Sequence, residues 1–359
     1  MPSRLFIALC AFVFFTSAYS ADTIKVKFSH VVAPDTPKGM AAQKFKEIAE
    51  KRSNGRVQVQ IYPNSQLYKD KEEIEALQLG AVQMLAPSLS KFGPLGTREF
   101  EVFDVPYIFP TKAALYRVMD GAVGKNLFAK LESKGIHGLA YWDNGYKQIH
   151  ANKAVKSVAD LKGMKLRIQS SKVLDAQMRA VGASPQVVAF GEVYMSLQTG
   201  TVDGGENTLS NIFTQKMHEV QKHITISDHG YIGYGVIVNK KFWDGRPADI
   251  RTTLEQAMKD ATIFERQVAQ QENDRALAGI RALKKPRSTS SPTLSVKNGR
   301  RCLLHFIQIL KVSSAARHWR QFNRLRWQNN PWQASPRPAP RLVLGKAWLG
   351  RQYPRCFSV

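Results

Sequence analysis

From Ile24 the chain alternates apolar and polar side chains through Ile24-Lys25-Val26-Lys27-Phe28-Ser29-His30, the period of a half-buried strand. Pro37–Arg52 comes next, with Met40, Phe45, Ile48 and Ala49 at helical spacing. Asn54-Gly55 predicts a turn into a second alternating strand, Val57–Tyr62. Residues 71–79 predict a helix closed by Gly80, and 82–87 a short strand.

A second block opens near Asn152. Asp160-Leu161-Lys162-Gly163 turns into a strand at 164–168, and a helix is predicted over 172–181. Residues 224–226 and 234–239 read as two further strands. Residues 247–283 form one long helical stretch with no Gly before Gly279, and at ~1.5 Å per residue it spans about 50 Å. The alternation of strand and helix predicts an α/β layered architecture with mostly parallel sheets. No repeat and no Gly/Ser linker separates the blocks, so two lobes joined by several crossings are expected.

The first residues carry a different pattern. One charge, Arg4, precedes an apolar stretch over 5–15, and Ala18 and Ser20 stand at −3 and −1 of a cut before Ala21. This predicts a cleaved signal peptide over residues 1–20 and, in a Gram-negative cell, a periplasmic mature protein. No run of 18 apolar residues occurs that could span a bilayer.

Charge divides the chain again. Lys and Arg number 52 against 28 Asp and Glu, a net +24, yet residues 284–359 hold 16 basic side chains and no acidic one. The same tail holds Cys302, Cys356 and four of the six Trp, and Cys10 lies in the leader, so the body offers no thiolate nucleophile. Catalytic signatures are absent as well. His218-Glu219 lacks the second His of a zinc-protease helix, and 121–125 lacks the spacing and Ser/Thr of a phosphate loop. No Gly-x-Ser-x-Gly elbow is present. Binding without chemistry or cofactor is the expectation, with a secreted α/β enzyme as the alternative from another class.

Residues 165–234, together with FSHVVAPDTPKG at 28–39, YPNSQLY at 62–68, APSLSKF at 86–92, YWDNGYKQ at 141–148 and VIVNKKFWDG at 236–245, closely resemble the extracytoplasmic solute receptors of TRAP transporters, in particular the C4-dicarboxylate-binding subgroup. The resemblance runs from about 24 to 285. It implies a two-lobed periplasmic binding protein (Venus flytrap) with a long helix spanning both lobes: 21–150 plus 233–272 as lobe I, and 151–232 plus 273–285 as an incomplete lobe II. It implies a monomer that closes on succinate, malate or fumarate and delivers it to membrane permease subunits; a keto acid or sugar acid is the alternative ligand. Arg167 matches the family arginine that pairs with the ligand carboxylate, a guanidinium fork for two oxygens; by itself it reads as an exposed strand residue. Asn207 matches the ligand-facing amide and Phe190 the apolar wall. Thr208 replaces the family's usual Pro, a departure expected to loosen the turn. Lys38 and Lys147 are candidates for the second carboxylate, and Ser88, Asn144 and Tyr234 for polar lining.

After Lys285 the family pattern stops. Arg interleaved with Trp319, Trp327 and Trp332 could form a nucleic-acid arm, but a secreted receptor has no nucleic acid to meet, and none is expected as a partner. Reading the codons for 285–306 one base earlier permits a Thr-Glu-Val-Tyr strand and then a Thr-x-x-Glu helix start. The pair resembles the strand and helix that family members carry at this position. Residues 286–359 are therefore expected to be out of frame, through one A lost from the run encoding Lys284-Lys285. A slip in the gene itself would leave lobe II without its closing elements, and the chain would fold poorly.

Overall fold

The computed structural model describes residues 23–283; the predicted signal peptide and the basic tail lie outside the described residues. β1 (Ile24–Ser29) buries Val26 and Phe28 and leaves Lys25 and Lys27 outward. α1 (Pro37–Arg52) begins on Thr36, whose hydroxyl accepts the Gly39 N–H at 3.2 Å, and has Pro37 where a missing N–H costs nothing. It ends on Lys51 and Arg52, and the Asn54-Gly55 turn, both residues at positive φ, leads into β2 (Val57–Tyr62), parallel to β1.

α2 (Glu73–Gln78) and β3 (Met84–Leu85) are shorter than the predicted spans. Two 3-10 turns (Leu89–Phe92, Arg98–Asp104), α3 (Lys112–Asp120) and α4 (Ala122–Glu132) then lead to β4 (Ile136–Ala151). β5 (Lys165–Ile168), α5 (Lys172–Ala180), β6 (Ser184–Val187), α6 (Val193–Gln198), β7 (Gly204–Asn207), α7 (Leu209–Thr214) and α8 (Met217–Val220) build the second block. β8 (His223–Asn239), α9 (Lys240–Asp244) and the 36-residue α10 (Ala248–Leu283) complete the described chain.

The sheet runs β2-β1-β3-β8-β4-β7-β5-β6. Mostly parallel sheets were expected. The short outer pairs are parallel, but the longest pairing, β4 with β8, is antiparallel, as are β3 with β8 and β4 with β7. β4 leaves the first block for the second and β8 returns from it, so the two long strands lie side by side in opposite directions and the sheet is mixed.

Two cores flank the crossing. One packs Val26, Phe28, Phe45 and Trp142 against Ile250, Leu254 and Met258 of α10. The other side holds Leu166, Ile168, Leu174 and Met178 in one cluster, and Val193, Leu197, Ile212, Ala276 and Ile280 in a second. α10 thus serves one core with its first half and another with its last turns. The described residues form a two-lobed α/β fold. Where β4 crosses, its register shifts between Asp143 and Gly145, and Gly145 sits at φ 109°.

Candidate functional site

Between the lobes lies a cavity with about 330 Å³ of space, part of it open to solvent. Its wall includes Arg167, Asn207, Phe190, Lys38, Ser88 and Tyr234, six of the eight residues singled out from sequence.

Arg167 sits on β5 with strands on both sides, pairing with Gln186 and Gly205. It is 2% exposed, and its Nε and Nη2 both donate to Val188 O at 3.0 and 2.9 Å. That grip fixes the plane of the guanidinium and leaves its other edge for a ligand. Burial lowers its pKa, against the pull of Asp70 and Glu206; a guanidinium stays charged through such a shift. Asn207 ends β7. Its Oδ1 accepts from Thr208 N and Asn211 Nδ2, both at 2.9 Å, so the amide nitrogen is the end that those bonds leave over. The turn after it is not loosened by the missing Pro. Thr208 holds φ −74°, a proline-like value, its N–H closes on Asn207, and its hydroxyl takes Asn144 Nδ2 at 2.8 Å. Phe190 starts a 3-10 turn and lines the cavity.

Lys38 reaches in from the first turn of α1. It is 1% exposed, its Nζ donates to Ala86 O at 2.9 Å, and the ammonium lies 3.8 Å from the centroid of the Tyr234 ring. Burial pushes its pKa down to about 7, with Glu73 and Asp70 pulling upward and Lys91 downward. Ser88 accepts Gln169 Nε2 at 2.8 Å and bridges to Tyr234.

Lys147 and Asn144 are placed elsewhere. Lys147 is fully buried, with its Nζ 2.5 Å from Glu206 Oε1, while His229 Nε2 holds the other oxygen at 2.8 Å. Burial alone would raise Glu206, but Lys147 and His229 outweigh it and hold the carboxyl at about 2. A lysine so committed has no charge to spare for a ligand. Asn144 pins β4 to Thr208, and its carbonyl accepts Asn273 Nδ2 of α10 at 2.8 Å.

Asp70, Gln169 and Asn211 also line the cavity and were not anticipated. Gln169 lies two residues beyond Arg167 and so shares its side of the strand, and Asn211 is four residues beyond Asn207; both spacings were readable. Nothing in Tyr68-Lys69-Asp70-Lys71 marks an acid bound for an anion site. It is tolerated because Lys91 binds both Asp70 and Glu73. Burial would raise Asp70, but Lys91 prevails and lowers it, while buried Glu73 stays raised. Among the described residues no His/Cys/Asp/Glu group has the arrangement of a metal site.

The comparisons with known proteins agree with this geometry. Residues 28–293 match the model for bacterial extracellular solute-binding protein, family 7. A C4-dicarboxylate-binding periplasmic protein, DctP, of Rhodobacter capsulatus is 64% identical over 261 residues, covering 73% of this chain and 78% of its own. The C4-dicarboxylate-binding protein DctB of Bacillus subtilis is 44% identical over 261 residues, 72% and 74% of the two chains. Among solved structures, a TRAP periplasmic solute-binding protein from Sulfurospirillum deleyianum with bound succinate superposes with a TM-score of 0.78 at 40% identity, over 84% of this chain and 99% of that one. One from Pseudomonas aeruginosa with bound L-malate gives 0.76 at 40% identity, over 79% and 99%. With a matching fold, a cavity between two lobes and relatives well above the level at which families diverge, the chain belongs to family 7 of the bacterial extracellular solute-binding proteins and is a receptor of the TRAP type.

Proposed function

We propose that this chain is the periplasmic receptor of a TRAP-type secondary transporter, that it binds a C4-dicarboxylate without transforming it, and that it hands the ligand to membrane permease subunits as a monomer. The observation that carries the reading is a pair of buried cations, Lys38 from α1 and Arg167 from β5, on the wall of one cavity between the lobes. Each can take one carboxylate in a charge-assisted bond, and a closed, water-poor cleft strengthens both. The succinate and L-malate bound by the two structural neighbours, and the names of the two relatives, support the same ligand class.

Calorimetric titration with succinate, L-malate and fumarate beside butyrate and a sugar acid tests it. Binding of the diacids, lost in Arg167→Ala, is the expected result; a panel in which only the monoacid or the sugar acid binds rejects it.

The proposal extends to the organisation of the chain. Residues 1–20 leave as a signal peptide; 21–150 plus 233–272 form lobe I, and 151–232 plus 273–285 lobe II. Residues 286–359 are read out of frame. That the family match ends at residue 293, while the two relatives are covered over 78% and 74% of their lengths, supports the last point. Resequencing across the codons for Ala282 to Pro292 decides it: an additional A supports the slip in the recorded sequence, and an unchanged run places the change in the gene itself or makes the basic tail genuine.

A further inference from the structure

Two amide oxygens among the cavity residues, Gln169 Oε1 and Asn211 Oδ1, are buried without a hydrogen-bond partner. Lys38, Arg167 and the Asn207 amide nitrogen are donors suited to carboxylates. An unsubstituted diacid brings only acceptors, so it pairs with these donors and leaves both oxygens unserved. A buried acceptor left unpaired lowers affinity by about five- to a hundredfold.

The orientation of the Gln169 amide is set by a chain of hydroxyls behind it. Ser90 Oγ donates to Asp104 Oδ1 at 2.7 Å, Ser88 Oγ donates to Ser90 Oγ at 3.4 Å, and Gln169 Nε2 donates to Ser88 Oγ at 2.8 Å. Asp104 is 2% exposed, and burial lifts its pKa to about 6 against the pull of Lys147 and Ser90; above that pH it only accepts. Every proton in the chain therefore points towards Asp104. Turning the amide round would set Oε1 against a Ser88 oxygen whose proton is committed to Ser90. Asn211 is fixed in the same way, since Asn207 Oδ1 already takes Thr208 N–H and must receive Asn211 Nδ2. Asn211 keeps Oδ1 unpaired as well; of the two fixed acceptors, Gln169 Oε1 is the one two residues from Arg167, whose guanidinium takes a ligand carboxylate.

We propose that Gln169 Oε1 accepts a hydrogen bond from a hydroxyl carried between the ligand's two carboxylates, so that the receptor selects a 2-hydroxy C4-dicarboxylate over the unsubstituted diacid. The inference rests on the dicarboxylate reading above. Gln169 is the specificity-determining contact, and Asp104, Ser90 and Ser88 are positioning residues that hold its amide one way round.

Titration calorimetry of the full chain at pH 7.5 with L-malate, D-malate and succinate tests it. One malate enantiomer is expected to bind at least about tenfold more tightly than succinate. Gln169→Leu brings that ratio to about one. Ser90→Ala breaks the hydroxyl chain without touching the cavity wall and lowers the ratio too, whereas a merely structural role for Ser90 would weaken all three ligands alike. Equal affinity of the wild-type chain for malates and succinate, or a ratio that survives both substitutions, overturns the inference and leaves the dicarboxylate reading standing. Failure of every C4 diacid to bind overturns both.

Discussion

Lys38 is an ammonium held where water does not reach, with a backbone carbonyl and an aromatic face in place of a hydration shell. Its pKa near 7 in the free protein makes ligand binding a proton-coupled event. A carboxylate arriving beside it favours the charged form and raises the pKa in the complex. The contribution of Lys38 to affinity is then fully present below about pH 7 and is lost as pH rises towards the bound value, by up to about tenfold per pH unit. The contribution of Lys38 to folding of the empty protein has the opposite slope, because an unfolded lysine titrates near 10.4 and binds more protons than the native one in between; that contribution rises from pH 7 to 10. Calorimetry at pH 8 in buffers of different ionisation enthalpy should record proton uptake on binding, and Lys38→Met should abolish it; uptake that persists in the variant would assign the proton to another group. At this scale the site was partly legible. Arg167, Asn207 and Phe190 were matched through the resemblance, Lys38 was a candidate for the second carboxylate and Ser88 and Tyr234 for polar lining, and all six lie on the cavity wall. Lys147 looked equally suitable because sequence cannot show that Glu206 and His229 claim it first.

β1, α1, β2, α5 and α10 were readable because each has one dry and one wet face, or a cap at its start, whereas β5, buried from Leu166 to Ile168, was readable from the Leu161-Lys162-Gly163 turn before it. β8 was read as two strands since its first residues alternate but the run from His229 to Asn239 is buried throughout; a strand wet on neither face has no period to detect. The long crossing of β4 was missed for the same reason, and it carries the register shift between Asp143 and Gly145. Gly145 occupies φ 109°, and a Cβ there would come within 2.9 Å of Asn273 Nδ2, the atom that holds the Asn144 carbonyl. Gly145→Ala should cost about 1–3 kcal/mol for the backbone alone, with the clash added. In urea unfolding, Asn273→Ala should relieve only the clash, so the double variant falls short of the sum of the single losses; strict additivity would separate the two residues. Glu265 of α10 accepts Asp143 N–H at 2.8 Å from a fully buried position, and burial, with Asp143 nearby, raises its pKa well above the carboxylate range. The native state therefore holds a proton that the unfolded chain releases near pH 4.3. This contribution to stability declines as pH climbs above that value. Glu265→Gln keeps the shape and carries no proton to lose, so its unfolding free energy should show a flatter pH profile between 5 and 8; an unchanged slope would mean the carboxyl is ionised in place.

For the whole molecule, the two lobes meet through contacts beyond the cavity. Glu101, in the 3-10 turn Arg98–Asp104, accepts the Lys172 N–H at 2.9 Å at the start of α5, whose next two free N–H groups are taken by Ser171. Val105 packs on Val173 beside it. A carboxylate at a helix N-terminus gains from both the unpaired N–H and the dipole, so the first helical turn of one block is completed by a side chain from the other. Opening the cleft would expose that N–H and part the two valines. Closure therefore has a free-energy contribution independent of ligand, and the affinity measured includes it, because a ligand that needs the closed form binds in proportion to how often that form occurs. A charge-assisted hydrogen bond contributes about 1.5–3 kcal/mol. Glu101→Ala, remote from the cavity wall, should weaken dicarboxylate binding by about tenfold or more, with the loss appearing in the dissociation rate. Glu101→Gln keeps an acceptor without the charge and should fall between. Small-angle scattering of the unliganded Ala variant should show a larger radius of gyration than wild type. Unchanged affinity together with unchanged dimensions would mean that the cleft closes on ligand contacts alone, and that the Glu101 contact forms after closure without favouring it.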